Sequence, residues 1–216
     1  RERDGVVRER TALINRIRAT LAEFGISVPS GPQRLRKWFK ENYGDSENEL
    51  PEIMKNHIFR MRNRLSQLET EVDVLDEDIN TNSRMNESCK RLEEVPGIGR
   101  LTASALVASV GDVKDFKSGR QFAAWLGLVP RQHSSGGKPR LLGISKRGDT
   151  YLRRMLIHGA RAVLKHMNPK RSVTPWLTSL LTRAHRNVVI VALANKLARI
   201  AWALLSSGNS YKEAHV

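Results

Sequence analysis

The sequence predicts a mainly α-helical protein: a helical coiled-coil linker over residues 1–92, then a basic helical domain over 93–216 that contains a helix-hairpin-helix. Three observations predict it. Apolar residues recur three and four positions apart through most of the chain. Gly and Pro fall between these runs rather than inside them. The charge balance also changes abruptly near residue 94. Residues 1–94 carry 17 Lys and Arg against 18 Asp and Glu, whereas residues 95–216 carry 20 against four, Asp112, Asp115, Asp149 and Glu213. A segment that basic is expected to hold phosphates.

The first predicted helix covers residues 2–24, with Val7, Ile14, Ile17, Leu21 and Phe24 at helical spacing and Gly25 as the stop. Residues 25–51 hold Gly25, Pro29, Gly31, Pro32, Gly44 and Pro51. They read as a connection with a short basic helix at Leu35–Lys40, where Trp38 and Phe39 could pack or could stack on RNA bases. Ile58, Met61, Leu65, Leu68, Val72, Leu75 and Ile79 then form an a/d seam. Its partner is either the first helix, folded back antiparallel, or a second copy of the chain; a part in both is expected.

From residue 93 the pattern stays helical. One helix runs through Leu101–Val110 to Gly111, and a second is capped by Ser118, carries Phe122, Trp125 and Leu126, and ends at Gly127 and Pro130. Residues 130–148 read as a Gly-, Ser- and Arg/Lys-rich loop. Asp149 caps a helix to about His166, Thr174-Pro175 opens a fourth, and a fifth runs from about Asn187 to Ser207 before Gly208. Trp125, Trp176 and Trp202 sit at apolar helical positions and are expected in the core.

Composition excludes several classes. The single Cys89 cannot form an internal disulfide or a cysteine-based zinc cage. The charged N-terminus does not resemble a signal peptide. The apolar run Val188–Leu205 carries Asn195, Lys196 and Arg199, so a buried helix is expected rather than a membrane span, with a cytoplasmic, nucleoid-associated location. The chain has no initiator Met and opens inside a helical pattern, which suggests a piece of a longer protein.

Two motifs carry chemistry. In Val95-Pro96-Gly97-Ile98-Gly99-Arg100, the glycines permit positive φ and close approach of a ligand. Free N–H groups at the next helix start could meet a DNA phosphate, with Arg100 adding charge. A plain helix–helix turn is the alternative. In Leu128–Asp149, Ser134 and Ser135 stand beside Gly136-Gly137, with Arg131, Lys138, Arg140, Lys146 and Arg147 nearby and His133 as a phosphate contact or general base. A serine that attacks a phosphodiester needs cations around phosphorus and a backbone that lets it reach. Spacing alone equally describes a solvated turn. Arg153, Arg154 and Arg161 share a helix and could line a nucleic-acid channel.

These motifs, in this order, are followed by Tyr151-Leu152-Arg153-Arg154-Met155-Leu156-Ile157-His158-Gly159-Ala160-Arg161 and by Val191–Leu205. Together they resemble the C-terminal domain of the insertion-sequence-110 family of transposases, nearest its subgroup 1111. Residues 10–26 resemble the subgroup's helical linker. The resemblance implies DNA transposition guided by a structured RNA from the element, with double-stranded DNA as substrate. It also implies a serine that becomes joined to the DNA backbone, here Ser135 with Ser134 as fallback. Mg²⁺ is expected at an N-terminal acidic domain that this sequence lacks, with no metal or cofactor in the chain itself, so this fragment alone is expected to be inactive. The rival reading is a non-catalytic, dimeric helix-hairpin-helix module of a repair or recombination factor.

Overall fold

The structure, a computed structural model, describes residues 1–42, 50–135, 138–167 and 175–211, without the side chains of 42 and 133–141. The described residues are mainly α-helical, with one two-stranded sheet. They form two compact units, Arg1–Asp78 and Ile79–Val216.

The first unit contains α1 (Glu2–Ala22), α2 (Pro32–Asn42) and most of α3 (Glu52–Met85). Its core joins Val6, Leu13, Ile14, Ile17 and Leu21 of α1 to Leu35 and Phe39 of α2 and to Ile58, Met61, Leu65, Leu68 and Val72 of α3. The heptad seam is thus filled by the chain's own helices. Two ion pairs fix an antiparallel sense: Arg3 with Asp76, where Arg3 Nη2 lies 2.9 Å from Asp76 Oδ2, and Arg64 with Glu9 at 3.7 Å. The fold-back pairing is present, with Ile58, Met61, Leu65, Leu68 and Val72 buried and Leu75 and Ile79 partly buried. Phe39 is buried in this core, and Trp38 is half-buried against its edge at 5.4 Å. Packing therefore accounts for Phe39, and RNA stacking is withdrawn for that ring.

The second unit begins with the end of α3 and α4 (Glu87–Glu93), followed by α5 (Arg100–Val110), a 3-10 turn at Val113–Asp115 and α6 (Gly119–Trp125). A hairpin of β1 (Pro130–Ser135) and β2 (Lys138–Ile144) comes next, then α7 (Thr150–His166), α8 (Pro175–Arg183) and α9 (Arg186–Ser207). The packing boundary lies inside α3, ahead of the charge step near residue 94. The two boundaries report different things: α4 is acid-balanced in sequence, yet Cys89 and Leu92 belong to the second core.

Helix α9 is the centre of that core. Val189, Ile190, Leu193, Ala194, Leu197, Ala198, Ala201 and Leu204 are buried, and the helix packs on α4, α6, α7 and α8. It is long and apolar enough to cross a membrane by length and composition. Gly119 at the start of α6 lets that helix pack closely on α9: a Cβ added to it would sit 3.2 Å from Arg199 Cα. Phe116, Phe122 and Trp125 form an aromatic cluster beside it, and Trp202 Nε1 donates to the Phe116 carbonyl at 3.1 Å.

The predicted caps are in place. Ser118 accepts from the Gln121 N–H, Asp149 accepts from Tyr151 and Leu152, and Gly208 closes α9 in the left-handed region. Pro175 is the first residue of α8, while Thr174 lies outside the described residues.

Candidate nucleic-acid interface and serine hairpin

The first motif forms the turn between α4 and α5. Asn86 breaks the chain away from α3 and caps α4, its Oδ1 accepting from Ser88 N at 2.9 Å and Cys89 N at 3.2 Å. Val95 and Ile98 are buried anchors, and Ile98 N donates to Val95 O at 2.9 Å.

The two glycines of this turn do different jobs. Gly97 has φ +94°, and a Cβ there would lie 2.8 Å from Val163 Cγ2 and 3.1 Å from Gly159 O. Conversely, a Cβ on Gly159 would lie 1.9 Å from Gly97 O. Gly97 therefore permits a close approach to α7. Gly99 is the N-cap of α5 with φ −87° and ψ 174°, so it needs no positive φ. It is exposed, and an added Cβ would meet nothing within 4 Å.

No side chain caps α5, so its first N–H groups lack a side-chain acceptor at the cap. Arg100 is exposed beside them, held by Glu93 Oε2 at 3.3 Å and Asn80 Oδ1 at 3.2 Å. Glu93 is held in turn by Ser83 Oγ.

The second motif is a β-hairpin, where the sequence pattern predicts a loop. Antiparallel pairing sets Gln132 opposite Leu141, His133 opposite Arg140, Ser134 opposite Pro139, and Ser135 opposite Lys138, with a register shift between Pro130 and Gln132. Ser135 is thus the last residue of β1, directly before Gly136-Gly137, which lie outside the described residues. The side chains of His133, Ser134, Ser135, Lys138 and Arg140 also lie outside them. Arg131, Lys146 and Arg147 are exposed at the two feet of the hairpin.

Those feet are fixed by backbone crossing. Gly127 (φ +72°) and Gly148 (φ +87°) pass so close that a Cβ on Gly127 would lie 1.9 Å from Arg147 O, and one on Gly148 1.8 Å from Trp125 O. Ser145 N donates to Val129 O at 2.8 Å and Lys146 N to Gly127 O at 3.2 Å. Lys146 adopts φ +55°, rare for a residue with a Cβ.

Two side chains complete the mounting. The Arg153 guanidinium donates to Leu126 O at 3.1 Å, to Arg147 O at 3.3 Å and to Thr150 Oγ1 at 3.1 Å. Asn195 Nδ2 of α9 donates to Leu128 O at 3.1 Å. Arg153 is buried, so its assignment as a channel-lining phosphate contact is corrected: its planar fork joins the two hairpin feet. The signal in sequence is its place next to Leu152 on the core side of α7, where a surface charge is the ordinary reading. Arg154 is half-buried with its guanidinium 5.4 Å from the Tyr151 ring centroid, and Arg161 is exposed.

Trp176 also departs from expectation. It is 39 % exposed, with Lys196 Nζ 4.8 Å from its ring centroid. Among the described residues no group of three or more His, Cys, Asp or Glu side chains could hold a metal ion. Cys89 is buried, and that burial raises its thiol above the ordinary cysteine range.

The family described as transposase IS116/IS110/IS902 matches residues 89–174, from α4 through the hairpin and α7. A probable family 20 transposase of Pseudomonas aeruginosa is 47 % identical over 98 % of this chain and 63 % of its own length. The transposase for insertion sequence element IS1111A of Coxiella burnetii is 43 % identical over 97 % of this chain and 58 % of its own. The transposase for insertion sequence element IS1328 of Yersinia enterocolitica is 40 % identical over 99 % of this chain and 63 % of its own. The chain thus spans about three-fifths of the length of these relatives. Residues 89–174 resemble the IS116/IS110/IS902 family of transposases, and nearly the whole chain is similar to these insertion-sequence transposases.

Proposed function

We propose that this chain is the DNA-holding, strand-exchanging part of a transposase, with Ser135 as its nucleophile. The observation that carries the reading is the hairpin itself: a Ser134-Ser135 tip on feet held by Gly127, Gly148 and Arg153 and flanked by exposed Arg131, Lys146 and Arg147. The mount fixes where the serine stands, and the cations at the feet, about 13 Å of strand away from Ser135, suit the flanking backbone phosphates of a bound DNA rather than the reacting one.

The uncapped start of α5, with Gly99 exposed and Arg100 beside it, is the second phosphate contact, in the manner of a helix-hairpin-helix. Contacts of this kind position a duplex without reading its sequence. Lys138, Arg140 and Arg154 are further phosphate contacts in this reading.

In the proposed step the Ser135 hydroxyl oxygen bonds to a backbone phosphorus, and the bond from phosphorus to one deoxyribose oxygen breaks. The serine proton passes through solvent to the departing oxygen. A deoxyribose hydroxyl of the partner strand then attacks the same phosphorus, the bond to the serine oxygen breaks, and the hydroxyl proton passes through solvent to the serine, so the number of phosphodiester bonds is unchanged. Sequence choice falls to a structured guide RNA encoded by the element.

Among the described residues no group of three or more His, Cys, Asp or Glu side chains could hold a metal ion. We place the Mg²⁺ site in the part of the relatives' length that lies outside this chain, and the chain alone then binds DNA without cleaving it. A homo-oligomer formed through the helical linker belongs to this reading. The protein acts in the bacterial cytoplasm, at the nucleoid.

The test uses the whole protein with the element's RNA, Mg²⁺ and a donor DNA carrying a trapping nick. A denaturant-resistant protein–DNA adduct is expected, lost in Ser135→Ala and kept in Ser134→Ala. Duplex binding is expected to fall steeply with salt, with a logarithmic slope of about −5 for about six phosphate contacts. Intact, salt-sensitive binding with no adduct under any condition contradicts the catalytic reading.

A further inference from the structure

A groove runs beside the hairpin, between β2, α8 and α9, and continues along α9 to Trp202. Near the hairpin it encloses about 740 Å³, a size typical of sites for small organic groups. Its apolar surface is open: Leu142 is 40 % exposed, Trp176 39 % and Val188 56 %. Every charged residue among the described lining is a cation: Arg120, Lys146, Lys196 and Arg199. All four are exposed.

We propose that this groove binds a short run of unpaired nucleotides, DNA or RNA, with one base stacked on Trp176 and the flanking phosphates on Lys196, Arg199, Arg120 and Lys146. The proposal rests on the nucleic-acid reading above but concerns a different surface from the Ser135 tip. Charge complementarity selects a polyanion, and the open indole among apolar side chains selects one that offers flat apolar faces. A duplex keeps its base faces stacked inside and can present only phosphates and groove edges. Unpaired nucleotides present both phosphate and base.

The contact between Lys196 and Trp176 fits the same occupant. An ammonium 4.8 Å from the ring centroid stands at the face a base would take, and a small displacement moves it onto the neighbouring phosphate. Trp202, tied to the Phe116 carbonyl, and Asn195, tied to Leu128, are fixed wall residues. The groove is therefore largely preformed, and Asn195 joins it physically to the hairpin foot.

The experiment measures binding of the whole protein to fluorescent oligothymidine, oligouridine and a duplex of matched length, for wild type, Trp176→Ala, Trp176→Phe and Lys196→Glu/Arg199→Glu. Trp176→Ala is expected to weaken one or both single strands about tenfold while duplex binding stays within about twofold. Trp176→Phe, which keeps a ring, is expected to restore most of the loss. Whichever single strand is affected more identifies the source, DNA or RNA. Photocrosslinking of an iodouracil oligomer to the peptide containing Trp176 supports the assignment.

Unchanged single-strand binding in Trp176→Ala, with duplex binding intact, overturns the groove and leaves the transposase reading standing. Equal weakening of single strands and duplex also overturns it, since no unpaired base is then being recognised. If wild type binds none of the three nucleic acids, the nucleic-acid reading fails first. If Lys196→Glu/Arg199→Glu disperses an oligomer in sedimentation while single-strand binding holds, the groove belongs to a second copy of the chain, and the proposal is wrong.

Discussion

One added carbon on Gly159 would stand 1.9 Å from the Gly97 carbonyl oxygen, far inside contact distance. Neither backbone can yield easily, because Gly97 lies between buried Val95 and Ile98, and Gly159 lies in α7 next to buried Ala160. Gly159→Ala is expected to destabilise the second unit by about 3 kcal/mol, as overpacking of a tight contact does. Gly99→Ala, in open space with ordinary φ, is expected to cost less than about 1 kcal/mol through its weaker N-cap. Urea denaturation of both variants checks the contrast, and equal losses would show that the turn is not packed as described. The sequence shows two glycines one residue apart with the same apparent purpose. Only the partner across the turn, some sixty residues later in the chain, separates a packing glycine from an exposed one.

At the scale of elements, the hairpin is an attachment whose orientation depends on its feet. Arg153→Met removes the guanidinium that joins the carbonyls of Leu126 and Arg147 and takes a donor from the buried Leu126 carbonyl. A loss of about 3 kcal/mol is expected, with Arg153→Lys intermediate because an ammonium cannot reproduce the planar fork. Adduct formation should fall with it, while salt-sensitive duplex binding through the start of α5 persists. A stability change under about 0.5 kcal/mol would mean that Arg153 is not the joint.

Helix ends are legible in the sequence because caps are local chemistry. Ser118, Asp149 and Gly208 are read from neighbours within one turn, and each sits where expected. The hairpin is not legible. Arg131-Gln132-His133-Ser134-Ser135 lacks the apolar alternation of a half-buried strand, and nothing local announces the crossing of Gly127 and Gly148 that creates it. The α3 seam is legible as a seam but not in its partner, since an a/d stripe fits a neighbouring helix of the same chain or of another equally well.

For the whole molecule, the charge step and the two cores describe a division of labour. The first unit spends its apolar residues on a helical bundle and its charges on ion pairs such as Arg36 with Glu69 at 2.6 Å. The second builds its core around α9 and leaves its surplus of basic residues without matching acids in the sequence. Composition alone reveals that imbalance, and it is the part of the function most legible in the sequence. The position of Ser135 at a hairpin end is not legible there, because flexible Gly-Ser segments are usually solvated turns.

The most direct test of the central claim, that Ser135 is joined to DNA, is peptide mapping of the trapped adduct. The whole protein is reacted with nicked donor DNA, the DNA is digested to a nucleotide remnant, and tandem mass spectrometry locates the modified residue. A remnant on Ser135 is the result this account predicts. A remnant on Ser134 would keep the hairpin and move the nucleophile by one residue, whereas a remnant anywhere outside the hairpin would contradict the account.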